Sequence, residues 1–580
     1  MAKSILAHVE FQWNIKETPS KNSVEQLAKS LEVSDLISHL LIQRGVHSFE
    51  EAKNFFRPDL KDLHSPFQMK DMEKAVDLLC NAIKNCESIC VFGDYDVDGT
   101  TSVTMMSHFL KTQFDLNVDT YIPDRYKEGY GLSQTFIDSL SEKTYDVVIT
   151  LDCGIRAVEA VKKGSSLGVK FIICDHHKPG NELPEAHAVL DPLRNDCTYP
   201  FKGLSGCGVG FKLIQGVLEK LQLDAEIALE YLDLLTISIG ADIVPMDGEN
   251  RILASYGLVK INENPRPGIK AMLKAGGKLG SEITNGDVVF MLSPRINAAG
   301  RIGHAKSALE LLLATDEEQA IPLCKSIEAY NVERKSVDKD ITSEAIAKVN
   351  SDEFYKTSRS TVIWGNGWHK GVIGIVASRL IENQYKPTVV LTESEGVATG
   401  SARSIKGLDI HEVLSEMDEL FIKFGGHKMA AGLSINTDNL SEFRLRFDEV
   451  VRSKLGEVPI KPEIIIDCEI DLNQIDDKFY RILMQFAPFG PKNMTPLFLT
   501  KNLVDAGYSK AVGEFKDHLK LSVVQKNSST KFFSGIAFKK GYLLDRIKNG
   551  EMFNMVYSLE LNEWQGRKSL QLNVRDIKFH

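Results

Sequence analysis

The chain has 580 residues, of which 43% are apolar and 26% charged, an ordinary globular composition that excludes a fibrous or disordered chain and predicts about three or four domains. A net charge of −10 excludes a passive nucleic-acid coat held by overall electrostatics, and no apolar run approaches the roughly 18 residues of a membrane span. Nine scattered cysteines with no CxxC pair fit a reducing compartment, and the first residues lack an apolar export core, so a soluble, cytoplasmic protein without membrane contact is expected.

Residues 1–70 read as an N-terminal helical segment, with SVEQLAKSLEVSDLISHLLIQRG at helical apolar spacing and PDLKDLHSPF as a linker. From 71 to 305 short apolar runs alternate with helical stretches: SICVFG (88–93), DVVITLDCG (146–154), KFIICDHH (170–177) and HAVLDP (187–192). That alternation predicts a parallel, doubly wound α/β domain, which binds ligands at the carboxyl ends of its strands. Residues 306–355 read as a long connecting helix, and 356–456 as a second α/β domain with the glycine-rich segment FGGHKMAAGLSI. Residues 457–580 carry several short strand-like runs and predict a small all-β barrel or sandwich. Charge is uneven: residues 501–580 hold 14 Lys and Arg against 8 Asp and Glu, +6, leaving −16 for the rest. A basic tail on an acidic body suits a protein that gathers carboxylates at a metal and grips a polyanion elsewhere.

The chemistry begins at VFGDYDVDGTTS, where Asp94, Asp96 and Asp98 follow a buried strand and Gly99 turns the chain into a helix. Three carboxylates so close repel one another unless a cation neutralises them. Three metal readings compete at this point. DxDxDG opens a calcium loop, but its twelfth position falls on Met105, where a bidentate Glu is needed. Asp96-Val-Asp-Gly-Thr100 matches the opening of dehalogenase-type phosphatases, in which the first Asp is a nucleophile. The third reading is a two-metal hydrolase. Asp152 in TLDCG is another acid at a strand tip, and Asp175-His176-His177 end a third strand. Paired imidazoles beside carboxylates suit Mn²⁺ or Mg²⁺ and have no use in the dehalogenase scheme. Asp242 in SIGADIVPM, after an apolar helical run, reads equally as a cap or a ligand. Together these residues support two divalent ions, one activating water and both clamping a phosphoryl oxygen, and hence phosphoester hydrolysis.

The series DYDVDG, LDCG, DHH and ADIVP resembles the four motifs of the DHH phosphoesterase superfamily. Its order, spacing and length resemble the bacterial RecJ single-strand-specific exonucleases over about 70–580. The resemblance implies a DHH domain over 71–305, a DHHA1 domain over 356–456 and an OB-like nucleic-acid-binding domain over 457–580. It implies Asp96, Asp98, Asp152, His176 and Asp242 as ligands of two Mn²⁺ or Mg²⁺ ions, with Asp94 and His177 as adjacent ligands or orienting groups. Other motifs bear on substrate. YIPDRYKEGYG holds Arg125 and Lys127; SPRINAAGRIGHA holds Arg295, Asn297, Arg301 and His304; GSARSIKGLDI and GGHKMAAG hold Ser401, Arg403, Gly426 and His427. The resemblance assigns Arg125, Arg301, His304, Ser401, Arg403, Gly426 and His427 to the 5′ end and nearby phosphates. His369 is a further candidate. The implied activity is 5′-to-3′ hydrolysis of single-stranded DNA to mononucleotides in repair and recombination. The protein would act as a monomer, with single-strand-binding protein and a helicase as partners. The alternative is a relative acting on short oligonucleotides or small phosphorylated substrates. In the barrel, Phe515, Phe532, Phe533, Phe538 and Tyr542 could stack bases, although core packing is the expectation for most. The loop APFGPKNMTPLF departs from the family, with Lys492 and Thr495 where a glycine and an acid are usual.

Overall fold

A computed structural model describes residues 9–526, 531–564 and 566–580. The chain forms two units, one of Thr18–Asn331 with Asn473–Pro496, the other of Met1–Glu17, Val332–Leu472 and Leu497–His580.

In the first unit the apolar runs become a five-stranded parallel sheet in the order Val118–Tyr121, Ile89–Gly93, Val147–Leu151, Lys170–Cys174, Ala188–Leu190. Period-two alternation sends Val91, Ile149 and Ile172 into one core and Phe92, Val148 and Ile173 into another, so both faces are covered and the strands read as continuous hydrophobic runs. The helices Met72–Lys84, Val97–Phe114 and Gly206–Lys220 supply the first core; Gln134–Ser139 and Val158–Ser166 supply the second. The strand order reverses between Ile89–Gly93 and Val147–Leu151. Such a switch point opens a crevice at the carboxyl ends, where Asp94 and Asp152 stand. The edge strand Val118–Tyr121 escapes sequence reading because VDTY is short, half-buried and contains two polar residues.

In the second unit, Thr361–Asn366 and Thr388–Ser394 pair in parallel, and Val397–Arg403, Ala430–Asn436 and Phe421–His427 continue the sheet antiparallel. Val389, Leu391 and Leu433 pack beneath Val413, Phe443 and Phe447 of the helices Ile410–Ser415 and Leu440–Leu455. The C-terminal strands form a seven-stranded sheet in which Phe498–Asp505 pairs with both Phe553–Trp564 and His518–Gln525, closing a barrel as expected. The connecting region is less continuous than one helix. Lys306–Leu313 is followed by a break, then by the 35-residue helix Glu317–Ser351. The N-terminal stretch is not wholly helical either. Gln12–Ile15 forms a strand parallel to Glu463–Ile466, a pairing between residues too distant in sequence for periodicity to reveal. Among the described residues no helix is long and apolar enough to cross a membrane.

Candidate metal centre

The first strand delivers Asp94 directly beyond Gly93, and the side chain is buried with its Oδ1 lacking a hydrogen-bond partner among the described residues. Asp96 caps the helix Val97–Phe114, its Oδ1 accepting from Gly99 N at 3.0 Å. Asp98 therefore sits in the first helical turn. The turn closes only because residue 99 is glycine: a Cβ there would lie 2.3 Å from the Asp94 carbonyl oxygen.

Asp98 is fixed from several sides. Its Oδ2 accepts from Gly206 N at 2.7 Å, and its Oδ1 from Cys207 N at 2.8 Å and Ser238 Oγ at 2.7 Å. The two amides open the helix Gly206–Lys220, whose N-terminal end favours an anion. Asp152 follows its strand with φ +60°, an uncommon backbone state for an aspartate that costs of order 1 kcal/mol. A Cβ on Gly206 would come within 2.5 Å of Asp152 Cβ, so this glycine lets helix and acid meet. Asp175 orients the imidazole pair: its Oδ1 accepts from His177 Nδ1 at 2.7 Å and from the amides of His176 and His177, while its Oδ2 accepts from Ile155 N. Asp242 ends the helix Leu232–Ala241, four residues beyond Ser238 and thus on the same face.

All seven acids and imidazoles expected at the centre are brought together. His176 Nε2 lies 3.1 Å from Asp152 Oδ1, 3.6 Å from Asp242 Oδ2 and 3.8 Å from Asp98 Oδ2, and it is buried without a hydrogen-bond partner among the described residues. Among the described residues three sets have ligand atoms within 4.8 Å of one another: Asp94, Asp96 and Asp152; Asp98, His176 and Asp242; Asp152, His176 and His177. The first two sets share no residue, so each can hold its own cation. Burial, then the Asp96 charge, pushes the Asp94 carboxyl well up; burial, then Asp98 and Asp96, does the same to Asp152. Asp98 is raised by burial, and Asp242 is pushed up to about 8 by burial and then by Asp98. Burial alone would depress His177, yet its bond to Asp175 and that carboxylate's charge outweigh it and lift the ring to about 9. The donors are hard oxygens and imidazole. The nearby thiols of Cys153, Cys174 and Cys207 are held protonated by burial, so the set fits Mn²⁺ or Mg²⁺ rather than a thiolate metal.

The cluster includes groups that motif reading did not assign. Asp175 was visible as the first letter of its triplet, and Ser238 as the helical neighbour of Asp242. Tyr130, whose hydroxyl donates to Asp152 O at 3.1 Å and lies 3.2 Å from His177 Nδ1, left no signal beyond its glycine-bounded loop. Around the centre, the Arg125 guanidinium lies 4.0 Å above the Tyr95 ring. A Cβ on Gly300 would meet Tyr95 O at 2.7 Å, so the helix Ser293–Ile302 brings Arg301 to the same turn, where Tyr126 donates to the Arg301 carbonyl. His304 is exposed just beyond that helix, its Nδ1 accepting from Lys306 N. Arg295 has a structural role instead: its Nε donates to Glu328 at 2.7 Å, and it is buried.

The second unit carries a separate polar set. Ser401, Arg403 and His427 share one sheet face through the registers Arg403–Ala430–His427 and Ser401–Gly432. Arg403 Nη1 donates to Ser401 Oγ at 2.7 Å, and both crowd Gly374 in the first turn of the helix Ile373–Gln384. His369, before that helix, accepts from Gly371 N at 3.1 Å. Gly426, at φ +152°, permits close strand approach, since a Cβ would lie 2.4 Å from Ala430 O. In the barrel, Phe515, Phe532, Phe538 and Tyr542 are at least half exposed, against the expectation of core packing, and Phe533 alone of the five is buried. Tyr508, 77% exposed, joins them; its isolated position in the sequence gave no cue.

Family models match residues 88–239 as the N-terminal domain of the DHH family, 354–453 as a DHHA1 domain and 466–576 as a RecJ OB domain. The single-stranded-DNA-specific exonuclease RecJ of Bacillus subtilis is 37% identical over 570 residues, spanning 98% of this chain and 71% of that one. That of Escherichia coli is 32% identical over 570 residues, 94% and 96%. RecJ of Thermus thermophilus in complex with Mn²⁺ superposes with a TM-score of 0.83 at 26% identity, covering 98% of this chain and 79% of that chain. Its Mg²⁺ complex gives 0.77 at 25%, covering 98% and 78%.

Two outcomes are expected. Gly206→Ala drives a methyl into Asp152 and should destabilise by about 1–3 kcal/mol while weakening Mn²⁺ binding, read by denaturant unfolding and calorimetry. Carboxyls raised in the folded state stabilise it while protonated, and that contribution disappears as pH rises from about 4, their unfolded value, through the value of about 8 at Asp242. The melting temperature in chelator should therefore fall across this window, and the increment gained on adding Mn²⁺ should grow; an increment independent of pH would contradict the arrangement.

Proposed function

Because the chain belongs to the RecJ family of single-stranded-DNA-specific exonucleases, we propose that it is a metal-dependent exonuclease that hydrolyses single-stranded DNA from the 5′ end to mononucleotides. The observation that carries the reading is the pair of disjoint ligand sets at the switch point of a parallel sheet, Asp94, Asp96 and Asp152 beside Asp98, His176 and Asp242. Two Mn²⁺ or Mg²⁺ ions, when bound, supply Lewis acidity and an activated water for phosphodiester cleavage.

The chain's own residues do the rest. Asp98 holds its oxygens in place through helix amides and Ser238, so the ligand set needs little reorganisation. Asp175 fixes the His177 ring through Nδ1, leaving Nε2 as the nitrogen that can serve a water or a departing oxygen. Arg125 and Arg301, beside the Asp94–Asp98 turn, supply positive charge for a terminal phosphate, and exposed His304 adds a donor. In the second unit Ser401, Arg403 and His427, over a helix N-terminus, offer a phosphate contact of their own, and Gly426 lets the strand that bears His427 lie close against Ala430 and Ala431. The exposed aromatics of the basic barrel suit base stacking, a feature that a small phosphorylated substrate would not need.

We further propose that the enzyme works in the cytoplasm as a monomer in DNA repair and recombination, on strands presented with single-strand-binding protein and a helicase.

The test is digestion of end-labelled single- and double-stranded DNA and RNA with Mn²⁺, Mg²⁺ or chelator. Mononucleotides should appear from the 5′ end of single-stranded DNA alone; cleavage of short oligonucleotides with a long strand left intact would favour the small-substrate alternative. Asp98→Ala should abolish cleavage and leave strand binding, read by fluorescence anisotropy, largely intact. Arg301→Ala should weaken use of 5′-phosphorylated ends more than 5′-hydroxyl ends, and equal effects would remove its assignment.

A further inference from the structure

Residues 473–496 lie in sequence within the all-β region, yet they belong to the first unit. Their turn is built to be held. Arg251, 6% exposed, spends its guanidinium on main-chain oxygens: it donates to the carbonyls of Phe486 at 2.8 Å and Ala487 at 3.0 Å, and to Phe55 O at 2.9 Å. Asn493 closes the turn from inside, Nδ2 donating to Phe486 O and Pro488 O while Oδ1 accepts from Arg44 Nε at 2.8 Å. A buried cation satisfied by main-chain carbonyls is costly to leave unpaired, so this turn has one seat.

The same turn also abuts the segment carrying Asp242. Met246 N donates to Pro491 O at 2.7 Å. A Cβ on Gly490 would come within 3.0 Å of Met246 Cβ. Lys492 Nζ pairs with Asp247 Oδ2 at 3.0 Å, from a residue held at φ +63°. On the other side Asn285 Nδ2 donates to Phe489 O at 2.8 Å, and a Cβ on Gly240 would lie 2.9 Å from Asn285 Oδ1. Residues 240–247 are thus tied to the turn directly at Met246 and Asp247, and indirectly at Gly240, which packs against the Asn285 side chain that the turn's Phe489 carbonyl holds. Between these ties stand Asp242 and Ile243, the latter at φ +58° and 68% exposed. A β-branched residue in the left-handed region is strained, and such strain persists only where surrounding contacts over-determine it.

We propose that residues 486–493 are a positioning brace for the metal centre, in which Asn285, Arg251 and Lys492 act through the Gly240–Asp247 segment to hold the Asp242 carboxylate where its cation requires it. The inference rests on the reading of Asp242 as a ligand. It explains why a turn embedded in the sequence of the strand-binding module is anchored in the catalytic unit: the metal site is complete only when the chain beyond residue 472 has returned to it. It also gives the left-handed Lys492 a function, since its ammonium group reaches Asp247, on the gripped segment.

The test is a double-mutant cycle on the full chain, with Mn²⁺ binding followed by calorimetry and the metal-free melting temperature measured alongside. Asn285→Ala should raise the Mn²⁺ dissociation constant by about tenfold, the size of effect seen when a group that orients a ligand is removed. In an Asp242→Asn background the same change should add nothing. Lys492→Met, at an exposed side chain, should shift Mn²⁺ affinity in the same direction by less, and it carries the cycle if Asn285→Ala does not fold. Parental Mn²⁺ affinity in both variants, or an equal loss with and without Asp242, would overturn the brace. If Asp242→Asn alone leaves Mn²⁺ binding at the parental value, the ligand assignment fails instead.

Discussion

Like charges forced into one buried volume govern this molecule. Asp94, Asp96, Asp98, Asp152 and Asp242 converge where their ionised forms repel one another, and burial raises the carboxyls of Asp94, Asp98, Asp152 and Asp242. A protein tolerates such a cluster only if it also supplies a place for cations, because the alternative is to hold the acids protonated at a cost in stability. The strain at Asp152 and the unpartnered atoms of Asp94 and His176 among the described residues follow from that constraint.

Backbone geometry makes the convergence feasible. The switch in strand order opens a crevice at the carboxyl ends of two neighbouring strands, and three acids of one turn enter it because Gly99 lets the helix start against Asp94. Gly206 performs the equivalent service from the opposite helix, whose first amides hold Asp98. Residues around the cluster divide into those that hydrogen-bond its acids and imidazoles, such as Ser238 and Asp175, and those proposed to bring positive charge to its rim, such as Arg125 and Arg301. The brace at 486–493 extends the same logic outward, from the ligand to the segment that bears it.

The second unit adds contacts of a different kind. Ser401, Arg403 and His427 line up across three antiparallel strands because paired residues present side chains to one face. The barrel contributes aromatic rings left outside its core, with Tyr508 and Phe515 among the most exposed. Their exposure on a basic module is what the proposal of base stacking rests on.

Much of this was determined by sequence alone. Buried parallel strands announce themselves as short apolar runs, and an acid or imidazole directly after each run must lie at the ligand-binding edge of the sheet, so Asp94, Asp152 and His176 could be placed without coordinates. Asp242 could not be placed, because an acid after an apolar helix reads equally as a cap, and only the fold brings it to His176. The strands Val118–Tyr121 and Gln12–Ile15 were invisible for a related reason: one is a polar edge, the other is paired with residues some 450 positions away. Backbone donors to Asp98, the exposure of the barrel's rings and the seating of residues 486–493 were decided by tertiary structure. Periodicity and motif spacing report what a segment does with its own neighbours, whereas these depend on which distant segments share a boundary once the core has closed.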